Sequence, residues 1–587
     1  VWKRATSLDT YRRFPYYVQN LFASSWARAR QSRTAAEQDD RGEHQMTRDQ
    51  TLSGQANCAI EWRYTSSKAY RDPFNDVQLD AIVTDPEGHE RTVPAFWSGE
   101  QTWRIRFSSP ACGRHTFRTV CSDAANRDLH GQTGVIEVAP YTGDNTLLRH
   151  GFLRVAADRR HLAHADGTPF FWLGDTWWMG LTKRLSWPDD FQALTADRVA
   201  KGFTVVQIVA GLYPDMEWYD ERGMNEAGFP WTKDFARINP AYFDMADRRI
   251  AHLVQAGIVP CIVGEWGYFM DVAGSDVLRK HWRYIIGRYS AYPVVWCAAG
   301  EALMRYYLDR NPNQDAAAWE RRRQADWSAL VRHIRSTDPH KHLITIHPTR
   351  YGRRQVDDPA LLDLEMLQTG HSGYPTLANT VHYLEESLAA QPEMPVLVGE
   401  ANYEGIVESS REEMQRFLFW TAMLCGAAGH TYGANGIWQV NTRDKPYGPS
   451  PHGTSWGNRP WDEAARLPGA AQLGLGRRVL ERVDWANVAP HHEWVEPHQT
   501  ATQRMAPYAA GIPGRARVIY IPGEAIFDAW RGQTRVTGLE EGVTYRACYI
   551  NPVTGEEHNL GAVSGPGDYV VPKPPIFQDW VLVLVKT

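Results

Sequence analysis

Four short runs in this 587-residue chain end in a carboxylate: FFWLGD at Asp175, IVPCIVGE at Glu265, PVVWCAAGE at Glu301 and MPVLVGE at Glu400. Each is an apolar stretch of strand length closed by a small residue and then an acid. A strand that is apolar on both faces is buried, and an acid at its carboxyl end is not core material. Several such ends in one domain bring carboxyl groups to a common rim. Two carboxyl groups facing each other supply what cleavage of a glycosidic bond needs: one protonates the departing oxygen, the other attacks carbon or activates water. Glu301 and Glu400 form the candidate pair. Asp175 is a candidate for sugar hydroxyls, or else a helix cap, and Glu265 is a second substrate contact, a group that tunes Glu301, or a structural partner of an arginine.

Around these acids stand groups suited to sugars. Trp177, Trp178, Trp266, Tyr403 and Trp438 are candidate stacking platforms, and His347, His371 and Tyr374 follow later strands as candidate hydrogen-bond partners. A tyrosine there can donate to the attacking carboxylate and lower its pKa. Desolvation by Trp296 and its alanine neighbours is expected to raise the pKa of Glu301, with Asn402 and Tyr403 as donors to Glu400. No His-Glu-x-x-His or other metal-ligand spacing occurs, and the expected chemistry needs no cofactor.

The elements that must position these groups alternate. Strand-like runs begin near 171, 204, 258, 294, 343, 364, 396 and 428, separated by amphipathic stretches such as DDFQALTADRVAKG and MADRRIAHLVQAG, which stop at Gly202 and Gly257. Eight strands with intervening helices over about 290 residues predict one (β/α)₈ (TIM) barrel whose acids sit at the carboxyl-terminal mouth. A doubly wound sheet lacks its Gly-rich phosphate loop here. From Ala59 to Val138 the texture is short alternating runs divided by turns, a small β-sandwich, and from about Ala501 a second one follows. The fold class is therefore multidomain, α/β and all-β, with a central barrel flanked by an amino-terminal and a carboxy-terminal β-sandwich. The expected boundaries are a leader or weakly ordered arm at 1–52, a sandwich at 53–142, the barrel at 143–490 and a sandwich at 491–587. The loop rich in Gly, Pro and Trp after Gln439 is expected to cross the barrel mouth.

Composition narrows the partners. A net charge of −5 with 12 % aromatic residues, 24 of them Trp, argues for a carbohydrate and against nucleic acid or a membrane surface. No apolar run reaches about 18 residues, so no transmembrane helix is expected. The charged opening VWKRATSLDTYRRFPYY has no secretory core, which favours a cytoplasmic location unless the start is misassigned. Seven cysteines without a regular spacing fit a reducing compartment, and Cys112 and Cys121, flanking an expected hairpin, are a candidate pair.

The segments FFWLGDTWW, GFTVVQIVAG, YPVVWCAAGE and MPVLVGEANYEG, with both sandwiches, resemble the apiosidase-like barrel family (glycoside hydrolase family 140 and relatives) over about residues 59–587. The resemblance implies a hydrolase that releases terminal or branching sugars from polysaccharides, the named activity being cleavage of β-linked apiose, a branched furanose. By analogy Glu301, after the fourth strand, is the acid/base and Glu400, after the seventh, the nucleophile of a retaining enzyme, with carboxyl groups about 5–5.5 Å apart. The chain departs from its relatives at two positions. They carry Asp after Gly-Gly where this chain has Ala-Gly-Glu301, and Gly300 replaces the Asn that the wider clan places before its acid. The rival readings are a barrel that binds carbohydrate without catalysis and an inverting or lyase-type enzyme.

Overall fold

The computed structural model describes residues 50–309 and 315–587. Residues 1–49 of the expected arm lie outside them. The first strand, Gln50–Gln55, begins three residues ahead of the expected sandwich boundary. It joins Thr133–Ala139, Gly113–Cys121, Leu79–Thr84 and Glu90–Pro94 in a five-stranded sheet. A three-stranded sheet (Ile60–Thr65, Thr102–Phe107, Phe96–Trp97) shares its core, built on Trp62, Trp103, Ile105 and Phe117. Strict alternation along Gly113–Cys121 turns His115, Phe117, Thr119 and Cys121 inward. Cys112 and Cys121 are both free. They bracket one extended strand, which at about 3.3 Å per residue holds them roughly 30 Å apart, far beyond disulfide reach.

After a small hairpin sheet comes the barrel. Its strands are β1 (Trp172–Thr176), β2 (Val205–Leu212), β3 (Val259–Glu265), β4 (Val295–Cys297), β5 (Ile344–Thr345), β6 (Glu365–Gln368), β7 (Val396–Glu400) and β8 (Gly429–Tyr432). All ladders are parallel, and β1 pairs with β8 from Trp172↔Gly429 to Asp175↔Tyr432. Between β5 and β6 no ladder forms. There Asp363 N donates to Ile344 O (2.9 Å) while its carboxylate accepts from Ile344 N (2.7 Å). Every residue of β2 and β3 is buried, as strands covered on both faces must be. The covering helices are α1 (Asp189–Ala200), α2 (Pro240–Gln255), α3 (Ser275–Tyr289), α4 (Ala316–Thr337), α5 (Tyr374–Leu388), α6 (Glu412–Leu424) and α7 (Pro468–Glu481). The connection from β5 to β6 holds only 3₁₀ turns.

Buried ion pairs join the bodies. Arg106 of the amino-terminal sandwich reaches Asp247 on α2 (2.5 Å), which also takes Arg288 of α3 (2.8 Å). On the other side Arg416 of α6 grips Asp579 through Nε and Nη2, each at 2.7 Å. Asp579 precedes the last strand of a six-stranded sheet, which packs with a three-stranded one around Trp580, Ile519 and Tyr549. That sheet begins with Ala489–Pro490, two residues ahead of the expected boundary. Among the described residues no helix is long and apolar enough to cross a membrane.

Candidate active site

The four residues after β4 decide how Glu301 is delivered. Ala298 N bonds back to Thr345 O and Ala299 O accepts from His347 N, so the run is held between β5 and its continuation. Gly300 then donates to Glu265 O (2.8 Å) and accepts from Gly267 N (2.7 Å). Here the residue must be glycine: a Cβ would stand 2.2 Å from the Trp266 ring. The clan's Asn is absent because Trp266 occupies its space. In return Trp266 Nε1 donates to Glu301 Oε2 (3.2 Å). Glu301 has φ of +41°, a backbone region costly for a side chain bearing a Cβ and commonest where function demands it.

Glu400 ends β7 and is 5 % exposed. His371 Nε2 lies 2.6 Å from its Oε1, and His347 Nε2 stands 3.2 Å from Oε2, close enough for charge pairing but off the line of a hydrogen bond. The Gln368 amide nitrogen, at the end of β6, donates to Glu301 Oε1 and to Glu400 Oε1, each at 3.0 Å. One NH₂ group thus spans the two acids.

The two carboxyl groups feel opposite environments. Burial and then the Glu400 charge raise the Glu301 pKa, moderated by the Gln368 amide. Burial also pushes Glu400 up, but the hydrogen bond from His371 and the charge of His347 and His371 outweigh it and hold Glu400 well below the usual carboxylate range. Tyr403, pushed up by burial and by the charge of Glu400, stays a neutral hydroxyl.

A cavity of about 290 Å³ opens over this pair. Of the residues singled out from the sequence, Glu301, Glu400, Trp178 and Trp266 line it, as do His371, Tyr403 and Trp438. Tyr403 stacks on His371 (4.7 Å, 24°) and lies nearly parallel to Trp438 (6.1 Å, 21°), forming one aromatic wall. Trp178 pins that wall by donating to the Tyr403 hydroxyl (3.0 Å). His347 is fully buried behind Glu400.

Five expectations need correction. Asp175 is buried and saturated, its Oδ2 accepting from Arg198 Nε (2.6 Å) and Trp177 Nε1 (2.7 Å), so neither it nor Trp177 reaches the cavity. Glu265 is fully buried outside the cavity lining, its carboxyl pushed well up by desolvation, so it is placed neither to contact substrate nor to pair with an arginine. Tyr374 opens helix α5, is 52 % exposed and approaches Glu413 instead. Asn402 bonds to the Gly373 backbone instead, and Glu400 Oε1 takes His371 and the Gln368 amide.

Sequence reasoning passed over Gln368, Asp215, Tyr307, His452 and Trp456, all of which line the cavity. Gln368 carried only a weak form of the acids' signal, a polar residue closing a short strand after Met366 and Leu367. His452 and Trp456 come from the loop after β8, which does cross the mouth. It is strapped down by Tyr447 Oη to Pro214 O (3.1 Å) and Arg222 Nη1 to Tyr447 O (3.1 Å), and by Asn441 Nδ2 to Gly457 O (3.1 Å). Among the described residues the one group spaced to share a metal is Asp85, Glu87 and His89, on a turn of the amino-terminal sandwich.

A parallel eight-stranded barrel with this carboxyl-lined mouth is the architecture of the barrel glycoside hydrolases. The chain belongs to the apiosidase-like family, whose catalytic-domain model matches residues 156–487, and it is a glycosidase. Residues 57–122 match a further model, the domain of unknown function DUF5060. Solved structures share the fold. One described as a glycoside hydrolase is 22 % identical, with 75 % of this chain and 97 % of that one covered, at a TM-score of 0.61. A family 5 glycoside hydrolase from Bacteroides vulgatus is 22 % identical, with 75 % and 93 % covered, at 0.60. Another structure from Bacteroides vulgatus, 17 % identical, covers 92 % of this chain and 100 % of its own at 0.63. No curated protein matches the chain.

Proposed function

We propose that the chain is a retaining glycosidase that removes a terminal or branching sugar, a furanoside, by double displacement, with Glu400 as nucleophile and Glu301 as acid/base. The observation that carries this reading is the bridging amide of Gln368. Two carboxylate oxygens each 3.0 Å from one nitrogen, on N–H bonds that diverge by about 120°, lie about 5 Å apart. That is the retaining separation, whereas inverting enzymes leave about 6.5–9.5 Å for a water.

The electrostatics support the same roles. Glu400, ionised through its histidines, attacks the anomeric carbon while Glu301 gives its proton to the departing oxygen. Esterifying Glu400 removes the negative charge that helped keep Glu301 protonated. Glu301, now a carboxylate, can take a proton from the water that attacks the ester, and the cycle closes. Furanoside specificity rests on the family, and action on a chain end on the strap that closes one side of the cavity.

The test is a panel of 4-nitrophenyl furanosides and pyranosides, apiosides and arabinofuranosides included, run with two variants. Glu400→Ala is expected to abolish turnover of every substrate. Glu301→Ala should still release an activated phenol but fail on a sugar–sugar bond, and azide should rescue it by giving a glycosyl azide of retained configuration. An inverted first product from the wild-type enzyme, or azide rescue of Glu400→Ala with retention, would overturn the assignment.

A further inference from the structure

A third carboxylate faces the cavity, and the chemistry above does not use it. Asp215 lies three residues past β2, is 5 % exposed, and has φ of +61°. Its Oδ2 has no hydrogen-bond partner, and no Lys or Arg pairs with it among the described residues. Burying an unpaired carboxylate is unfavourable, and so is the left-handed backbone that presents it. The fold nevertheless holds this loop firmly. Tyr268 Oη donates to Tyr213 O (2.5 Å), Tyr447 Oη donates to Pro214 O (3.1 Å), and Asp215 N donates to Tyr307 Oη (2.8 Å). Three tyrosine hydroxyls from three different segments therefore fix the backbone that leads into this acid. Burial pushes its carboxyl up, with the facing groups Ser450, His452, Arg222 and Trp456 working the other way.

The strap residues His452 and Trp456 line the cavity together with Asp215. We infer that Asp215 is a specificity-determining residue, its carboxylate accepting hydrogen bonds from hydroxyl groups of the terminal sugar. Tyr268, Tyr307 and Tyr447 are its positioning residues. The inference rests on the cavity being the glycosidase site, and it adds which group reads the sugar that is retained rather than the group that leaves.

The test uses the 4-nitrophenyl glycoside that the wild-type enzyme hydrolyses fastest in the panel, together with its monodeoxy analogues. An aryl leaving group offers no departing sugar to contact. Loss of a hydrogen bond to a charged acceptor should lower kcat/KM of Asp215→Ala by about 10- to 150-fold on the parent glycoside. The wild-type enzyme should lose a similar factor on one particular deoxy analogue, and the variant little more on that analogue, the signature of a shared contact. An equal penalty on the parent and on every analogue, or a penalty confined to substrates with a sugar leaving group, overturns the inference. Asp215→Asn, which tolerates the left-handed backbone, repeats the cycle if the alanine variant fails to fold. Full turnover by Glu400→Ala would instead sink the catalytic roles, and the hydroxyl cycle would still report on Asp215.

Discussion

His371→Phe separates tuning from contact at the nucleophile. The phenyl ring can keep the stack on Tyr403, whose rings lie 4.7 Å apart, while the donor 2.6 Å from Glu400 Oε1 is lost. A hydrogen bond to a buried carboxylate is worth about 1.5–3 kcal/mol, and about 1.4 kcal/mol corresponds to one pH unit. The sign follows from which form the bond favours. In the wild-type enzyme it stabilises ionised Glu400 and keeps the acidic limb of the kcat/KM profile far to low pH. Without it the carboxyl holds its proton longer, so the limb moves up by about one to two pH units. His347, at 3.2 Å, and the Gln368 amide, at 3.0 Å, remain and keep Glu400 ionisable. The assay is kcat/KM for the best nitrophenyl glycoside from about pH 3 to about pH 9, each reaction quenched in alkali before reading. A uniform fall with the acidic limb unmoved would refute the reasoning, because His371 would then be touching substrate rather than setting the charge of Glu400.

Three further outcomes are expected. Glu404, buried beside the site and pushed up to about 7, keeps a proton that the unfolded chain releases near its ordinary pKa, so stability falls as pH rises through that window by about 3 kcal/mol. Glu404→Gln should flatten that slope in urea titrations at successive pH values, and an unchanged slope would count against it. Arg416→Ala leaves Asp579 buried without its partner and should cost about 3–5 kcal/mol in thermal or urea unfolding, most of it recovered when Asp579 is also made apolar. Gly300→Ala would push a methyl into the Trp266 ring, 2.2 Å away, and the displaced indole releases Glu301. A fall of about 10- to 100-fold in kcat is expected with the fold retained, checked by kinetics beside circular dichroism.

Much of the barrel was legible because its strands are apolar on both faces and punctuated by Gly and an acid. β5 was readable from the run HLITIHP even though only Ile344 and Thr345 are ladder-bonded. The acids at 301 and 400 stood out for the same reason. What failed was the inference that every strand-end acid reaches the mouth. Asp175 occupies the right position on β1, but Arg198 from α1 folds back onto it, and a pairing between a strand and the helix that follows leaves no periodic trace. Tyr374 reads as a rim residue until one knows that α5 starts on it. Gln368 and Asp215 were missed for opposite reasons: the first looks like an ordinary neutral end to a strand, the second lies in the loop LYPDMEWYD, whose shape is set by tyrosines up to 233 residues away.

The left-handed backbone of Glu301 bears on how such a chain evolves. A residue kept where glycine would be more comfortable, its carboxyl beside the charge of Glu400, is held there by selection for activity against the pull of stability. Glu301→Gly should therefore melt higher than the parent while hydrolysing nothing, and a lower melting point would show that the two hydrogen bonds on Glu301 outweigh the strain. Once catalysis ceases to matter to a lineage, drift at this position runs downhill. A relative carrying glycine or asparagine at the equivalent of 301 would then be one that has kept the sugar and abandoned the reaction.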